Sequence, residues 1–329
     1  MKLYISLTLI FLTQLTFAQS NVEVKNNDSS FTFDVGSRYW YSTTNIKTEG
    51  LNNGASYGNP SYIINWSNMV GNNLELFGKM LHSESDYFSK GYVGTNLGNG
   101  ISGQMSDIDY ARGQTTTSVL NTNAKQLSAS YGVLDFGKDF KISNTTVSPF
   151  LGYFYWKQKS QSYGGTVGAI TSGDYTFYNK IGLTAGQALP DSANVITYET
   201  IVNSPRIGFS LNQPISEKFT VDFELAYMPF ANIQSNDSHN LAPQIYVTNG
   251  SPNVVSSGQG WGYGSDIYLK YKVTDNTKVG LGFRYQYFEL KNQSVSSNYV
   301  NGGWTSRDNG LQKLTLEKYG LMVSGEYRF

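Results

Sequence analysis

An all-β chain whose strands close into a barrel is the fold class this sequence predicts, on three observations. Apolar and polar residues alternate with a period of two along several long stretches. The composition is aromatic and poor in charge: 25 of 329 residues are Tyr and 18 are Phe, while Asp, Glu, Lys and Arg make up 15%, against about 25% in ordinary soluble domains. The first twenty residues have the make-up of an export signal.

Composition also excludes several classes. Disordered chains lack rings, and this one is rich in them. The 24 basic and 24 acidic residues balance, so no net field attracts nucleic acid. No Cys is present, which removes disulfides, thiol nucleophiles and thiolate metal sites. A mean hydropathy of −0.35 does not suit a helical membrane bundle.

At the N-terminus Lys2 supplies a positive start, residues 3–17 an apolar stretch, and Thr16 and Ala18 the small residues that a signal peptidase reads. Cleavage is expected before Gln19, giving a signal peptide over 1–18 and a single outer-membrane β-barrel domain over 19–329. The rival, an uncleaved membrane helix, has too short an apolar core.

Ten strands are expected in order: 31–46, 59–70, 74–88, 125–136, 146–162, 195–212, 218–233, 260–273, 277–291 and 314–329. In the seventh, Phe219, Val221, Phe223, Leu225 and Tyr227 face away from Thr220, Asp222 and Glu224. In the ninth, Val279, Leu281, Phe283, Tyr285 and Tyr287 oppose Gly280, Gly282, Arg284 and Gln286. In the last, Tyr319, Leu321, Val323, Tyr327 and Phe329 oppose Lys318, Met322, Ser324, Glu326 and Arg328. This is the period of a strand. Pro205 and Pro229 fall inside expected strands, where a missing N–H implies local bulges.

Short connections at Gly71-Asn72-Asn73, 137–145, 213–217 and 274–276 alternate with long ones at 47–58, 89–124, 163–194, 234–259 and 292–313. Short periplasmic turns alternating with long external loops are the habit of membrane barrels. The first and last strands offer 16 residues each, whereas about 9–11 cross a bilayer. The prediction is therefore a ten-stranded antiparallel transmembrane β-barrel extending above the outer membrane. A barrel this small is filled by side chains, so inward Glu224, Arg284, Lys318 and Glu326 are expected to pair and plug the lumen, which counts against a pore.

Two motifs stand out. Residues 106–110 read Ser-Asp-Ile-Asp-Tyr and residues 235–239 read Ser-Asn-Asp-Ser-His. Side chains at i and i+2 of an extended segment point the same way, so Asp107 pairs with Asp109 and Asp237 with His239. The expected topology puts the motifs on the second and fourth external loops, nearly half a circumference apart. Asp237 can fix the His239 tautomer, the other ring nitrogen can take a proton from water, and Asp107 with Asp109 can hold that water. Such a hydrolase needs neither Ser nor Cys. One His and three Asp also suit a divalent cation, and each motif alone is common in solvated loops. The chain's other histidine, His82, falls in the third expected strand.

With these motifs, the chain resembles the omptin family of outer-membrane endopeptidases. That family sets an Asp-x-Asp pair against an Asp-x-His pair across the mouth of a ten-stranded barrel. Asp107, Asp109, Asp237 and His239 match it residue by residue, and Asp109 and Asp237 lie 128 positions apart, close to the family's spacing. Weaker similarity covers 61–66, 149–165, 205–208 and 309–329, with the usual terminal Phe at Phe329. The resemblance implies a peptide or protein substrate, catalysis by these four residues with no metal and no cofactor, an active site facing the exterior and a monomer. It also implies a lipopolysaccharide requirement. Two departures bear on this. Relatives that cut between basic residues carry an acid where Ser235 stands, so a strict dibasic preference is not expected unless Glu49, Glu84, Asp86 or Asp308 supplies another acid. In the family's lipid motif of Tyr, acid and Arg at alternate positions, Tyr153, Tyr155 and Lys157 occupy the places, keeping the cation and losing the acid; a plain interfacial girdle is the rival reading. Beside the peptidase stand a noncatalytic barrel for adhesion or surface interaction and a small transport pore.

Overall fold

The structure, a computed structural model, describes residues 30–51, 57–98, 103–111, 115–170, 182–243, 245–247 and 252–329. The expected signal peptide lies outside the described residues. Twelve strands follow in chain order: β1 (Phe31–Leu51), β2 (Tyr57–His82), β3 (Tyr87–Asn96), β4 (Gly103–Ala111), β5 (Thr115–Lys138), β6 (Phe140–Ile142), β7 (Thr145–Ile170), β8 (Ala188–Pro214), β9 (Phe219–His239), β10 (Val254–Lys272), β11 (Thr277–Tyr299) and β12 (Gly303–Arg328). β3 and β4 pair with the lower and upper parts of the same two neighbours, β2 and β5, and so act as one wall strand. β6 is a three-residue hairpin arm against the start of β7. Ten wall strands remain, all antiparallel to their neighbours, and the β1–β12 and β5–β7 ladders close the ring.

The alternation is realised as an inside and an outside. Val35, Leu76, Val93, Leu134, Leu151, Ile207, Leu225, Ile267, Leu281 and Leu321 face outward and are exposed. Tyr87, Phe136, Phe219, Tyr271 and Phe329 flank this band near the ends with short turns, and Tyr41, Tyr153, Tyr227 and Trp261 flank it on the other side. An apolar band between two aromatic girdles is what a bilayer covers. Beyond the upper girdle the wall continues, because strands of 21–27 residues are about twice the length that crosses a bilayer.

The lumen is filled. Trp40, Met69, Phe154, Trp156, Phe288 and Met322 are buried across it. Below them runs a belt of ion pairs. Glu75, fully buried, meets Arg38 Nε at 2.8 Å and Arg284 NH1 at 2.5 Å, while Arg284 NH2 reaches Asp266 at 2.7 Å. Glu224 is held by Lys90 at 2.6 Å and by Arg206, and Glu326 by Lys270 at 2.5 Å. Glu224, Arg284 and Glu326 thus pair as expected. Lys318 does not: its Nζ lies over the rings of Trp40, Trp156 and Tyr131, 4.9, 5.5 and 5.7 Å from their centroids.

The expected strand count of ten is right, but its second and third strands are one. Gly71-Asn72-Asn73 is no turn; it lies inside β2, where polar side chains bond sideways to β1. Asn73 Nδ2 donates to Trp40 O at 3.0 Å, Ser42 Oγ to Gly71 O at 3.3 Å, and Tyr39 OH to Asn72 Oδ1 at 2.5 Å. The turn comes later, after His82. Its Ser85 main-chain N–H donates to the His82 ring at 3.3 Å, and Asp86 takes the left-handed φ of 59°. The missing third wall strand is β3 with β4, which but for Tyr87 and Phe88 falls inside the expected loop 89–124. Both prolines sit at bulges as expected: the β8–β9 register slips between Asn203 and Ile207, around Pro205, and the β9–β10 register slips beside Pro229, between Met228 and Ala231.

Candidate active site

Both motifs lie on strands near the upper rim, not on loops as expected. β4 carries Asp107 opposite Ile64 of β2 and Leu120 of β5, and Asp109 opposite Tyr62 and Ser118. β9 carries Asp237 opposite Tyr198 of β8 and Val254 of β10, and ends at His239 opposite Ile196. Around the ring β9 is four strands from β4 one way and six the other, so the motifs occupy facing arcs.

The pleat aims them inward. Along β9, Ala231, Ile233, Ser235 and Asp237 are buried while Asn232 and Gln234 are exposed; His239 continues the inward series. On β4, Gly103, Met105 and Asp107 form the same series, with Asp109 next. Asp107 and Asp237 are 7% and 8% exposed.

His239 Nε2 lies 3.3 Å from Asp237 Oδ2. A carboxylate at that distance can orient the imidazole ring. On the opposite arc Asp109 Oδ2 accepts a hydrogen bond from Ser118 Oγ at 2.7 Å, and its main-chain oxygen accepts one from Thr117 Oγ1 at 3.1 Å. Among the described residues no group of three or more His, Cys, Asp or Glu is placed to hold a metal ion.

One step further down, the floor is neutral. Ser235 is buried and its Oγ accepts a hydrogen bond from Tyr198 OH at 2.9 Å. Tyr198 stacks on buried Trp66, with centroids 5.8 Å apart. Tyr198 lies well above the upper girdle, and burial pushes its phenol above the ordinary range, so the group stays uncharged near neutral pH. Thr48 and Thr200 are buried close by. The acids suggested as replacements for a carboxylate at position 235 are elsewhere. Glu84 and Asp86 belong to the turn at the far end of the barrel, and Glu49 is engaged by Lys47 at 2.6 Å; the Asp308 side chain lies outside the described residues.

Tyr153 and Tyr155 point outward at the upper girdle. Lys157 Nζ lies 3.0 Å from Glu199 Oε2 on the neighbouring strand, so an acid does stand beside the cation, contributed by β8. His82 is at the other end of the barrel, remote from both motifs. Sequence spacing gave no sign of Tyr246 and Asn253, which touch His239 from positions after β9.

The wall is similar in fold to a solved structure over nearly its whole length. The outer membrane protease OmpT from Escherichia coli superposes with a TM-score of 0.70 at 17% identity, covering 91% of this chain and 97% of that one. The fold is that of an omptin-like outer-membrane barrel. The attachment invasion locus protein Ail of Yersinia pestis (TM-score 0.25, 9% identity, covering 90% of this chain and 98% of that one) and the outer membrane protein OprG from Pseudomonas aeruginosa (0.30, 8%, 89% and 96%) share only the general barrel character. No protein-family model matches the sequence of this omptin-like barrel, and no curated protein does.

Proposed function

We propose that this chain is an outer-membrane endopeptidase with its active site at the exterior mouth of the barrel. The observation that carries the reading is the inward Asp237–His239 contact, set across the lumen from inward Asp107 and Asp109. The omptin-like fold supports it. In this reading a peptide lies between the two arcs. His239 Nδ1 takes a proton from a water held by Asp107 and Asp109, and that water's oxygen bonds to the scissile carbonyl carbon. The C–N bond then breaks as the proton passes to the leaving amine. Asp237 orients the ring and stabilises the imidazolium that forms. The chemistry uses no metal and no cofactor, and the enzyme acts as a monomer.

The floor at Ser235, Tyr198 and Thr200 favours an uncharged side chain beside the scissile bond, because a buried cation there would find no carboxylate. On the exterior, Tyr153 and Lys157 are the residues proposed to meet a lipid headgroup, with lipopolysaccharide as the lipid. The test is a peptide library exposed to whole cells that display either the wild type or His239→Ala. Cleavage of neutral sites by the wild type alone supports the reading; identical peptide profiles leave a noncatalytic surface barrel in its place.

A further inference from the structure

We propose that Tyr246 and Asn253 are positioning residues that hold His239 as the general base, an inference that rests on the peptidase reading above. His239 is the last residue of β9. It pairs with Ile196 of β8 on one side, but on the other the β9–β10 ladder ends at Asp237, and a ring with no neighbouring strand on that side is free to sample several rotamers. The structure replaces the missing restraint with two contacts from the segment that follows.

The first acts on the backbone. Asn253 is completely buried. Its Oδ1 accepts from the His239 main-chain N–H at 2.9 Å, and its Nδ2 donates to His239 O at 3.4 Å. The Asn253 main-chain N–H donates to Asp237 O at 2.8 Å, and its own carbonyl accepts from Asn298 N–H at 2.8 Å. One amide side chain thus reproduces a ladder pair for His239, while the same residue's backbone grips the other member of the acid–base pair.

The second acts on the ring. Tyr246 stacks on the imidazole with centroids 5.3 Å apart and planes 26° apart. Tyr246 is itself immobilised. It is buried, stacks on Tyr299 at 5.4 Å, forms an isolated bridge with it, and packs with Ala242, Val254 and Val295. One face of His239 is therefore closed by a fixed aromatic plane. Its Nε2 edge turns to Asp237. The electron-rich face of the phenol also attracts the imidazolium that forms as His239 takes its proton.

The chain has only two histidines, so a His82→Asn background leaves one imidazole to observe. In that background Tyr246→Phe, which keeps the stack, and Tyr246→Leu, which keeps the apolar packing, are purified in lipid-containing micelles and checked for heat-modifiable mobility. Two readouts are taken: the ring proton shifts of His239 by NMR, and kcat and KM on a peptide substrate. The expected result is that Tyr246→Phe retains the upfield ring-current shift and most of kcat. Tyr246→Leu loses the shift, and its kcat drops about 10–100-fold with KM little changed, as a misplaced base requires. A Leu variant with an unchanged His239 resonance, or with wild-type kcat, overturns the proposal; so does an equal loss in the Phe variant. If neither wild type nor His239→Ala cleaves any peptide, the peptidase reading fails, while the resonances still decide whether Tyr246 holds the ring.

Discussion

The lower and upper lumen both carry buried acids and use them oppositely. Below, every acid of the central belt meets a base: Glu75 has Arg38 and Arg284, Asp266 has Arg284, Glu224 has Lys90 and Arg206, and Asp222 and Glu326 share Lys270. Guanidinium groups there also lie over rings, as Arg38 does over Phe77 at 4.6 Å. Above, Asp237 faces the weaker base His239, and the floor beneath is made of hydroxyls and indole. Charges that neutralise one another seal and hold a structure, whereas an acid set against an imidazole suits the proposed proton exchange. The difference separates a plug from a candidate active site more sharply than any single residue does.

Substitutions in the two regions should therefore fail in opposite ways. The largest effect is expected from Asp237→Asn. The amide can hold the ring in the wrong tautomer, so kcat should fall by about 10²–10⁴, while the unfolding temperature in micelles stays at the wild-type value. Steady-state kinetics beside a melting curve checks both halves.

Glu75→Gln should do the reverse. It strips the shared partner from two buried guanidiniums, for which about 3–5 kcal/mol of stability is the usual cost, and it should leave the kcat of the folded fraction intact. Denaturant titration of heat-modifiable mobility measures it. An unchanged midpoint would show that the belt is not what holds the lower barrel.

Ser235→Asp tests the neutral floor. A carboxylate beneath the scissile bond should raise kcat/KM for peptides with Arg or Lys beside that bond, relative to neutral ones, by about tenfold or more, read from competition between two peptides in one reaction. The smallest expected effect is none at all: EDTA should leave the peptidase rate where it was, and a rate lost on chelation and restored by one divalent cation would move the reading to a metallohydrolase.

Much of the barrel was legible because a wall strand obeys a single rule along its length. In β12 the outward Leu321 and Val323 and the inward Lys318 and Met322 came straight from the period of two. The rule broke where polar side chains bond sideways. Gly71-Asn72-Asn73 has the composition of a turn, yet Asn73 spends its amide on Trp40 O and Ser42 Oγ of the next strand, a partner 31–33 residues away that no local pattern reveals. It broke again above the apolar band, where neither face needs to be apolar, so residues 103–111 and 234–239 read as loop although they are strand. Asp107, Asp109, Asp237 and His239 were singled out by spacing and by resemblance, and each pair shares an inward face because i and i+2 point the same way in a strand as in any extended segment. Asn253 lies 14 residues beyond the histidine it clamps, and no periodicity links the two.

The central claim, that the upper lumen is a hydrolytic site with His239 as its base, is tested most directly by the kcat of His239→Ala on a cleaved peptide, with His82→Ala as the control. The account predicts that His239→Ala assembles as a heat-modifiable barrel and loses about 10²–10⁴ in kcat with KM little changed. It predicts that His82→Ala, at the opposite end of the barrel, cleaves as the wild type does. A correctly assembled His239→Ala protein that cleaves at the wild-type rate would contradict the account.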